Sequence, residues 1–380
     1  MSTRPTWVEI SLSQLTENYR VIRKHVGAER AIMAIVKADA YGHGLPEVAR
    51  ALSRAGADWF GVASADEGVE LRQLGITQPI LLLTGFWEGE QSALTDYDLV
   101  PAIYSEDQLD TIEQWGRRMG RRIRFHLKVN TGMGMLGLHW QGVEPFLNLY
   151  RKMSYVEMEG LFEQFAAAED FVGHGTEDQA ERFRCVEQAL GHAGVRPRYL
   201  HQANSAAVVS RPETWGNMVR PGLLLYGYQP PVRVAEGAPG PACAELPVKE
   251  ILSFRTRVIS VKQVPAGIAL GYGGRYVTPR ASRIATVPAG YADGVDRRLS
   301  NRGRVIVCGE YAPIVGTISM DLTLVDVTEI PRAVVGEEVV LIGRQGERSI
   351  SALDIAEISG TISYEILVGI GKRVPRNYIS

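Results

Sequence analysis

The sequence predicts an α/β region in which eight strands alternate with helices, followed by a mostly-β region. Three observations support this prediction. Short runs of apolar and β-branched residues recur before residue 228. Most gaps between these runs carry the pattern of amphipathic helices. After residue 248 the runs are short, closely spaced and separated by Gly and Pro, as in a domain built mainly of strands.

The eight strands are predicted at 31–38, 59–64, 79–85, 99–105, 122–130, 158–165, 199–205 and 218–227. Helices are predicted at 45–56 and 177–194, and two helix starts resemble capping boxes, Ser64 with Glu67 and Ser105 with Gln108. Eight alternating strands fit a (β/α)8 barrel. A doubly wound sheet has the same alternation, so periodicity leaves both folds open.

The sequence also predicts two domains. An earlier apolar run at 6–12 would form a ninth strand that pairs outside the first sheet, within a first domain of residues 1–235. The segment 229–247 is rich in Pro, Gly and Ala and is typical of a linker. A second domain would cover 245–380, in which only 349–360 has a helical pattern.

Composition narrows the function classes. The chain has 380 residues and a net charge of −2, which does not favour nucleic-acid binding. Its three cysteines, Cys185, Cys243 and Cys308, lie far apart, and we expect free thiols in a reducing compartment. The start lacks the apolar core of a signal peptide, and the longest apolar run is too short to span a bilayer. We therefore expect a cytoplasmic protein.

The polar residues at the strand ends indicate the chemistry. In a barrel these ends meet at one mouth, and they supply Lys37, Lys128, Asn130, Gln164, Asn204, Ser205 and Arg220. A lysine in a partly apolar setting has a lowered pKa and can condense with a carbonyl. The segments around Ser205 and Gly222 offer a hydroxyl and backbone N–H groups that suit a phosphate. Together these features indicate pyridoxal phosphate. The histidines have no metal-ligand spacing, so no metal site is predicted.

Nine segments resemble, in order, the motifs of the bacterial alanine racemase family: AIVKADAYGHG, HLKVNTGMG, HQANSAA, MVRPGLLLYG, LGYGGRY, PAGYADG, APIVGTISMD, GTISYEIL and RVPRNY. The resemblance spans almost the whole chain. It implies a (β/α)8 TIM barrel followed by a mostly-β C-terminal domain, pyridoxal phosphate as cofactor and a homodimer with composite active sites. It also implies D-alanine synthesis for peptidoglycan precursors.

The resemblance assigns roles residue by residue. Lys37 matches the lysine that carries the cofactor, and Tyr272 matches a second base that reaches the site from the other subunit. Arg220 matches the arginine that faces the pyridine nitrogen. The phosphate-binding positions are Tyr41, Ser205, Gly222, Leu223 and Tyr364, with Asn204 beside them. Tyr291, Met320 and Asp321 match positions at the substrate entrance or carboxylate site. Asp293, in the same motif as Tyr291, is expected to fix a turn.

Three positions depart from the family pattern. The family usually has an arginine where this chain has Met135 and an aspartate where it has Asn130. That arginine binds the cofactor's ring oxygen, and a carbamylated lysine matching Lys128 often supports it. With Met135 in its place we do not expect this modification. A frequent histidine is replaced by Gln164, which can still accept a hydrogen bond from Arg220.

The expected activity is racemisation of alanine by two bases. A racemase of serine or of broader specificity is the alternative within the enzyme class. A catalytically weak pyridoxal-phosphate-binding homologue is the alternative in another class. The tyrosine motif around Tyr272 favours an enzyme, because the single-barrel binding proteins lack a domain that carries a second base.

Overall fold

The structure is a computed structural model that describes residues 4–236 and 243–380. Its contacts divide the chain into two compact units. The barrel unit comprises the described residues of 14–40 and 45–249, and the β unit comprises those of 1–13, 41–44 and 250–380. The predicted linker 229–247 includes residues 237–242, which lie outside the described residues.

The strands are β1 Thr6–Ser11, β2 Ala31–Ile35, β3 Trp59–Val62, β4 Ile80–Leu82, β5 Leu99–Ile103, β6 Ile123–Asn130, β7 Leu138–His139, β8 Val156–Phe162, β9 Tyr199–His201, β10 Met218–Val219, β11 Leu252–Arg257, β12 Ser260–Val264, β13 Ala269–Leu270, β14 Tyr276–Val277, β15 Ser282–Val287, β16 Arg304–Val307, β17 Glu310–Pro313, β18 Thr323–Asp326, β19 Glu338–Gln345, β20 Arg348–Ile350 and β21 Arg376–Ile379.

The helices are α1 Leu12–Val26, α2 Lys37–Gly42, α3 Leu45–Ala55, α4 Ala65–Gln73, α5 Gln91–Asp96, α6 Glu106–Met119, α7 Val143–Tyr150, α8 Gly175–His192, α9 Ser205–Ser210, α10 Ala352–Ser359 and α11 Ser363–Val368. Short 3₁₀ turns lie at Trp140–Gly142, Pro212–Thr214, Tyr272–Gly274, Tyr291–Asp293 and Arg297–Leu299.

The barrel unit contains eight parallel strands in the order β10, β2, β3, β4, β5, β6, β8, β9. A parallel bridge between Asn204 and Arg220 joins the two ends of this sheet. The Arg220 N–H donates to the Ala203 carbonyl at 2.9 Å. This closure confirms the (β/α)8 barrel and excludes the doubly wound alternative. Strands β3, β4 and β5 are buried at every position, as expected for parallel strands covered on both faces.

All eight predicted barrel strands exist, but seven of the eight predictions run past the residue at which the strand ends, the last two by the most. The predicted strand 199–205 ends at His201, because Asn204 caps helix α9 by accepting from the Ala207 N–H at 3.1 Å. The predicted strand 218–227 ends at Val219. Pro221 has no N–H to continue a ladder, and the chain then turns tightly, with the Leu225 N–H donating to the Gly222 carbonyl at 2.9 Å.

Both predicted capping serines cap their helices. Ser64 Oγ accepts from the Glu67 N–H at 3.3 Å, and Ser105 Oγ accepts from the Gln108 N–H at 3.2 Å. The reciprocal bond differs from a standard capping box, because Glu67 and Gln108 accept from the residue before each serine. These bonds fix the starts of α4 and α6 directly after β3 and β5.

The segment α2 after strand β2 is a left-handed turn. Residues 38–41 have φ between 52° and 56°, and Gly42 follows with a φ of 79°. Left-handed backbone costs a residue with a side chain about 1–2 kcal/mol. Asp39 Oδ1 stabilises the exit from the turn by accepting from the Leu45 N–H at 2.7 Å. Strand β2 therefore stops at Ile35, two residues before Lys37.

The β unit contains a sheet in the order β17, β16, β19, β11, β1, β21, with β20 attached to β19. Strand β1 pairs antiparallel with β11 and parallel with β21. Two smaller sheets contain β12–β15–β18 and β13–β14. The predicted helix at 349–360 is present as α10, but the prediction of a single helix was wrong. Helix α11 was missed because its Tyr, Ile and Val residues favour strands and it forms through burial of Ile366 and Leu367.

Within the described ranges, no helix has the length and apolar composition needed to cross a membrane. The same residues contain no cluster of three or more His, Cys, Asp or Glu side chains that could hold a metal ion.

Candidate active site

Lys37 lies at the carboxyl edge of the barrel, where the left-handed turn begins. Burial lowers the pKa of its amine, and the nearby positive charge of Arg220 lowers it further, whereas Glu67 raises it. The Glu67 carboxylate is held in place by the Ala38 N–H at 2.6 Å and the Ala63 N–H at 2.8 Å. A half-buried amine near a guanidinium gives up its proton more readily than an amine in water.

Lys128 lies on β6 in the same mouth. Its Nζ donates to the Leu83 carbonyl at 3.2 Å and lies 5.5 Å from the centre of the Phe162 ring. Burial lowers the pKa of Lys128 to about 8, with further contributions from the charges of Arg220 and Lys37. Three cations therefore share this edge of the barrel, which makes it a site for an anionic ligand.

Arg220 is buried where the two ends of the barrel meet, with a relative exposure of 4%. One guanidinium nitrogen donates to the Glu163 and Gln202 carbonyls at 2.7 and 3.0 Å. The same nitrogen donates to Gln164 Oε1 at 3.3 Å, which is the bond predicted for this glutamine. Burial lowers the pKa of Arg220 to about 10, and Glu163 opposes this shift. The guanidinium thus remains charged at neutral pH and is fixed in orientation.

The other guanidinium nitrogen of Arg220 contacts a buried pair of histidines. It donates to the His201 carbonyl at 2.6 Å and to His201 Nδ1 at 3.1 Å. His201 Nε2 therefore carries the hydrogen and donates to His126 Nδ1 at 2.8 Å. Burial lowers the pKa of both rings, that of His126 to about 3, so both are neutral. These histidines support Arg220 rather than bind a metal.

A group of small donors lies at the start of α9. Ser205 Oγ accepts from the Gly222 N–H at 2.9 Å and from the Leu224 N–H at 3.3 Å. Leu223 lies between these two residues and is buried. Asn204 is used as the helix cap. A hydroxyl and neighbouring backbone N–H groups form the kind of donor set that binds a phosphate, so these residues fit the predicted cofactor.

The other two predicted phosphate ligands belong to the β unit. The rings of Tyr41 and Tyr364 lie 5.7 Å apart between centroids. Tyr41 is buried, and burial raises the pKa of its phenol far above its usual value. It therefore stays protonated and can act as a hydrogen-bond donor.

Tyr272 lies in a 3₁₀ turn of the β unit, and its side chain is 73% exposed. The turn is held by the Thr317 hydroxyl, which donates to the Tyr272 carbonyl at 3.0 Å. Gly271 and Gly273 on either side have φ of 70° and 73°, a left-handed backbone that glycine adopts without strain. The sequence around Tyr272 thus projects a phenol from a rigid turn.

The loop with Met320 and Asp321 packs against the turn that carries Tyr291. The Tyr291 and Ala292 N–H groups donate to the Ser319 and Met320 carbonyls, each at 3.1 Å. Both Met320 and Tyr291 have exposed side chains. The structure therefore brings the predicted substrate-site residues of the β unit together.

A buried carboxylate fixes this arrangement. Asp293 accepts from the Gly290 N–H at 2.8 Å, which confirms its predicted role in the turn. It also pairs with Arg4 at 2.7 Å and Arg373 at 2.8 Å. Arg373 reaches Asp321 at 2.7 Å, so one network links the turn to the loop.

Of the positions predicted to depart from the family pattern, Asn130 ends β6 and Met135 lies in the loop after it. Asn130 Oδ1 accepts from the Gly132 and Gly134 N–H groups at 3.1 and 3.0 Å and so shapes this loop. Met135 is 70% exposed and offers no polar atom to a ligand. Asn130 thus has a structural role, whereas Met135 leaves the mouth without an additional cation.

Two site residues were not predicted from the sequence. Glu67 borders Lys37, and its only sequence signal was its place in a capping box. Glu163 lies directly before Gln164 and is completely buried. Its partners come from distant parts of the chain, so no local pattern could have identified it.

The fold and site define a class of protein: enzymes with a parallel barrel whose mouth carries a lysine, a buried arginine and a turn with phosphate-type donors, a set that fits pyridoxal phosphate. Comparisons with known proteins specify the family. A model of the alanine racemase N-terminal domain matches residues 10–230, and a model of the C-terminal domain matches residues 251–378. The chain belongs to the alanine racemase family and is a pyridoxal-phosphate-dependent racemase.

Individual relatives agree with this assignment. The chain is 44% identical to the alanine racemase of Symbiobacterium thermophilum over 99% of this chain and 97% of the relative. It is similar in structure to the alanine racemase of Clostridium difficile 630, with a TM-score of 0.90 and 34% identity. The match covers 100% of this chain and 97% of that protein. A third similar protein, the alanine racemase of Bartonella henselae with covalently bound pyridoxal phosphate, has a TM-score of 0.87, 29% identity and coverage of 99% of both chains.

Proposed function

We propose that this chain interconverts L- and D-alanine with two bases, Lys37 and Tyr272, which act on opposite faces of the bound cofactor. Racemisation needs two bases, because the Cα proton leaves from one face and a proton returns to the other. Pyridoxal phosphate, when bound, accepts the electron pair that is left at Cα. The protein must hold the substrate and move protons at the Lys37 amine and the Tyr272 phenol.

The observation that carries this proposal is the state of the Lys37 amine. It is half-buried at the barrel mouth, and both burial and Arg220 lower its pKa. A lysine with its ordinary pKa would be almost fully protonated at neutral pH and could not accept a proton. Glu67 limits the shift, so the amine can take up a proton from one face of the substrate and return it.

We propose that Tyr272 serves the active site of a second copy of the chain. Its phenol is exposed, whereas a base that transfers protons selectively must be shielded from bulk water. Ile268 and Val277, at the adjacent hairpin of β13 and β14, are 44% and 53% exposed. An exposed phenol with apolar neighbours suits a contact with another protomer, which supports a homodimer with composite sites.

The remaining residues are proposed to bind and orient the ligands. Arg220 would face the pyridine nitrogen, with Gln164 holding its guanidinium. The proposed phosphate-binding group comprises Tyr41, Asn204, Ser205, Gly222, Leu223 and Tyr364. The proposed substrate-contacting group comprises Met135, Tyr291, Met320 and Asp321. The donor chemistry of the first group and the shared network of the second support these roles.

We further propose domains of 1–235 and 245–380 along the sequence, with residues 6–12 as a strand outside the barrel; β1 of this segment pairs with β11 and β21 of the β unit. The boundaries of the two family models, at 230 and 251, support this division. The three cysteines are free thiols, which supports a location in the reducing cytoplasm. There the enzyme would supply D-alanine for peptidoglycan precursors.

A panel of L-amino acids in deuterium oxide tests the proposed substrate. We expect alanine to exchange its Cα proton and invert faster than serine or any larger amino acid. Faster inversion of serine would support the broader racemase instead. Cofactor binding without exchange in any amino acid would indicate a catalytically weak homologue and contradict the proposal.

A further inference from the structure

The structure contains a buried carboxyl group that the proposed mechanism does not use. Glu163 follows β8 at the mouth of the barrel and has no measurable exposure. Its two oxygens accept from the Thr131 hydroxyl and from Gln202 Nε2. Among the described residues, no Lys, Arg or His nitrogen lies within 4.0 Å of either carboxylate oxygen of Glu163. Burying an ionised carboxylate without a close cation is costly, so this residue is expected to have a function.

Glu163 is connected to both of the backbone carbonyls, its own and that of Gln202, that accept hydrogen bonds from one nitrogen of Arg220. One guanidinium nitrogen donates to the backbone carbonyl of Glu163 at 2.7 Å and to that of Gln202 at 3.0 Å. The side chain of Glu163 binds the side chain of Gln202. This bond links the ends of β8 and β9. A rotation of either peptide would therefore move the guanidinium.

The bond to Thr131 extends this connection to β6. The Thr131 hydroxyl donates to Glu163 and accepts from Gln179 Nε2 at 3.1 Å. Gln179 also donates to the Gln164 carbonyl at 3.1 Å. Both side-chain oxygens of Glu163 accept hydrogen bonds from neutral groups. Burial raises the pKa of this carboxyl to about 7, so the group is a carboxylate above pH 8.

Glu163 is also the carboxyl group whose negative charge interacts with the positive charge of Arg220. The other charged groups of the mouth are the cations Lys37 and Lys128 and the Glu67 carboxylate, which acts on Lys37. Glu163 stabilises the charged form of Arg220 and thereby raises its pKa. In the described residues no carboxylate lies within 4.0 Å of Arg220, so Glu163 compensates its charge from a distance without competing for its donors.

We propose that Glu163 is a positioning residue for Arg220. Its carboxylate fixes the carbonyls that orient the guanidinium and offsets part of its positive charge. It thereby limits how strongly Arg220 donates to the ring nitrogen of the cofactor. This inference rests on the proposed role of Arg220. A ring nitrogen that receives only a weak hydrogen bond keeps the cofactor a modest electron acceptor, which favours racemisation over transamination.

The test compares Glu163→Gln with the native enzyme, both loaded with pyridoxal phosphate that carries ¹⁵N in its ring. The variant keeps the shape of Glu163 and one acceptor oxygen but removes its charge. Above pH 8 and without substrate, we expect the ¹⁵N resonance to move toward the value of a protonated ring. Glu113→Gln is the matched control, because Glu113 is a buried carboxylate of α6 that accepts from the Ser154 and Tyr155 N–H groups.

A second readout is the side reaction with alanine. Alanine and pyridoxal phosphate give pyruvate and the amine form of the cofactor: the amino group passes to the cofactor and the aldehyde oxygen is replaced through water by the keto oxygen, with no net consumption of water. Alanine is oxidised and the cofactor is reduced. We expect Glu163→Gln to release about tenfold more pyruvate per racemisation event, equivalent to about 1.4 kcal/mol in relative barrier height. Thr131→Val keeps the charge of Glu163 and removes one donor, so it should change this ratio much less.

The outcomes separate this inference from the proposed function. An unchanged ¹⁵N resonance and pyruvate ratio in a folded Glu163→Gln enzyme would overturn the inference alone, provided that Arg220→Gln moves the resonance. An unchanged resonance in Arg220→Gln would show that Arg220 does not face the ring nitrogen and would overturn both. If Glu163→Gln does not fold, Gln202→Met tests the same link, and an unchanged resonance there would contradict the positioning role.

Discussion

At the scale of single residues, Met135 is a position at which this chain departs from the pattern that the resemblance implies. The thioether is exposed and uncharged, whereas the resemblance implies an arginine that binds the cofactor's ring oxygen. Lys128 remains in the mouth and is held by the Leu83 carbonyl. The missing cation should reduce the rate of racemisation, because a hydrogen bond from a charged group contributes about 1.5–3 kcal/mol.

Restoring the arginine tests this effect. We expect Met135→Arg to raise turnover of L-alanine by about one to two decades, if the bond strengthens in the transition state. Met135→Gln is the control, because it adds a polar group without charge. Equal turnover in Met135→Arg and the native enzyme, and also in Met135→Arg combined with Asn130→Asp, would contradict this explanation.

The residues of the site were predictable to different degrees. Lys37 and Gln164 follow strands in the sequence, so their positions at the mouth could be predicted from barrel geometry. Glu163 could not, because its carboxyl is satisfied by Thr131 and Gln202 from two other strands. Hydrogen bonds between segments far apart in sequence leave no local pattern.

At the scale of elements, the left-handed turn after β2 is the feature that places Lys37. Gly42 ends this turn with a φ of 79°, and a Cβ there would lie 2.4 Å from the Leu367 carbonyl oxygen. Gly56 has a φ of 96°, but a Cβ there would meet nothing within 4 Å. The two glycines therefore separate the cost of backbone conformation from that of a steric clash.

We expect Gly56→Ala to lower the free energy of unfolding by about 1 kcal/mol, since only the backbone is strained. Gly42→Ala should lower the free energy of unfolding by about 1–3 kcal/mol more than Gly56→Ala does, because the new methyl group displaces packed backbone. Urea unfolding followed by circular dichroism measures both. Equal losses in the two variants would contradict the close packing around Gly42.

The elements themselves were largely predictable from apolar runs and capping serines, and the failures have physical causes. The left-handed turn was not predicted, since residues 38–41 include no glycine and their strained backbone is held by tertiary contacts. Helix α11 depends on burial of Ile366 and Leu367 and not on helix propensity. The tight turns after β10 follow from Pro221, which the prediction treated as part of a strand.

At the scale of the whole molecule, Glu163 should make stability depend on pH. Burial raises the pKa of this carboxyl to about 7, despite the opposing charge of Arg220 and the bonds from Thr131 and Gln202. Between its unfolded pKa and about 7 the folded state binds one proton more than the unfolded state. Folding stability therefore decreases as pH rises through this range.

We expect the unfolding free energy of the native enzyme, relative to Glu163→Gln, to decrease by about 3 kcal/mol between pH 4.5 and pH 8. Urea unfolding of both proteins at equal cofactor concentration measures this difference. A constant difference between native enzyme and Glu163→Gln across this range would mean that Glu163 does not titrate as described.

A dimer with composite sites makes a further prediction at this scale. Lys37→Ala and Tyr272→Phe should each be inactive alone, because every site lacks one base. After the two variants are mixed and allowed to exchange subunits, half the dimers are hybrids, each with one intact site. We expect about a quarter of the native activity to return. No recovery in hybrids isolated by different affinity tags would contradict composite sites.

Tyr272→Phe in deuterium oxide is the most direct test of the two-base account. The variant keeps Lys37 and removes the proton-accepting oxygen on the other face. We predict that one alanine enantiomer still exchanges its Cα proton for deuterium. The other enantiomer should exchange at least about a hundredfold more slowly, and the rate of racemisation should fall by a similar factor. Equal exchange from both enantiomers, or inversion at the native rate, would contradict the assignment of Lys37 and Tyr272 as the two bases.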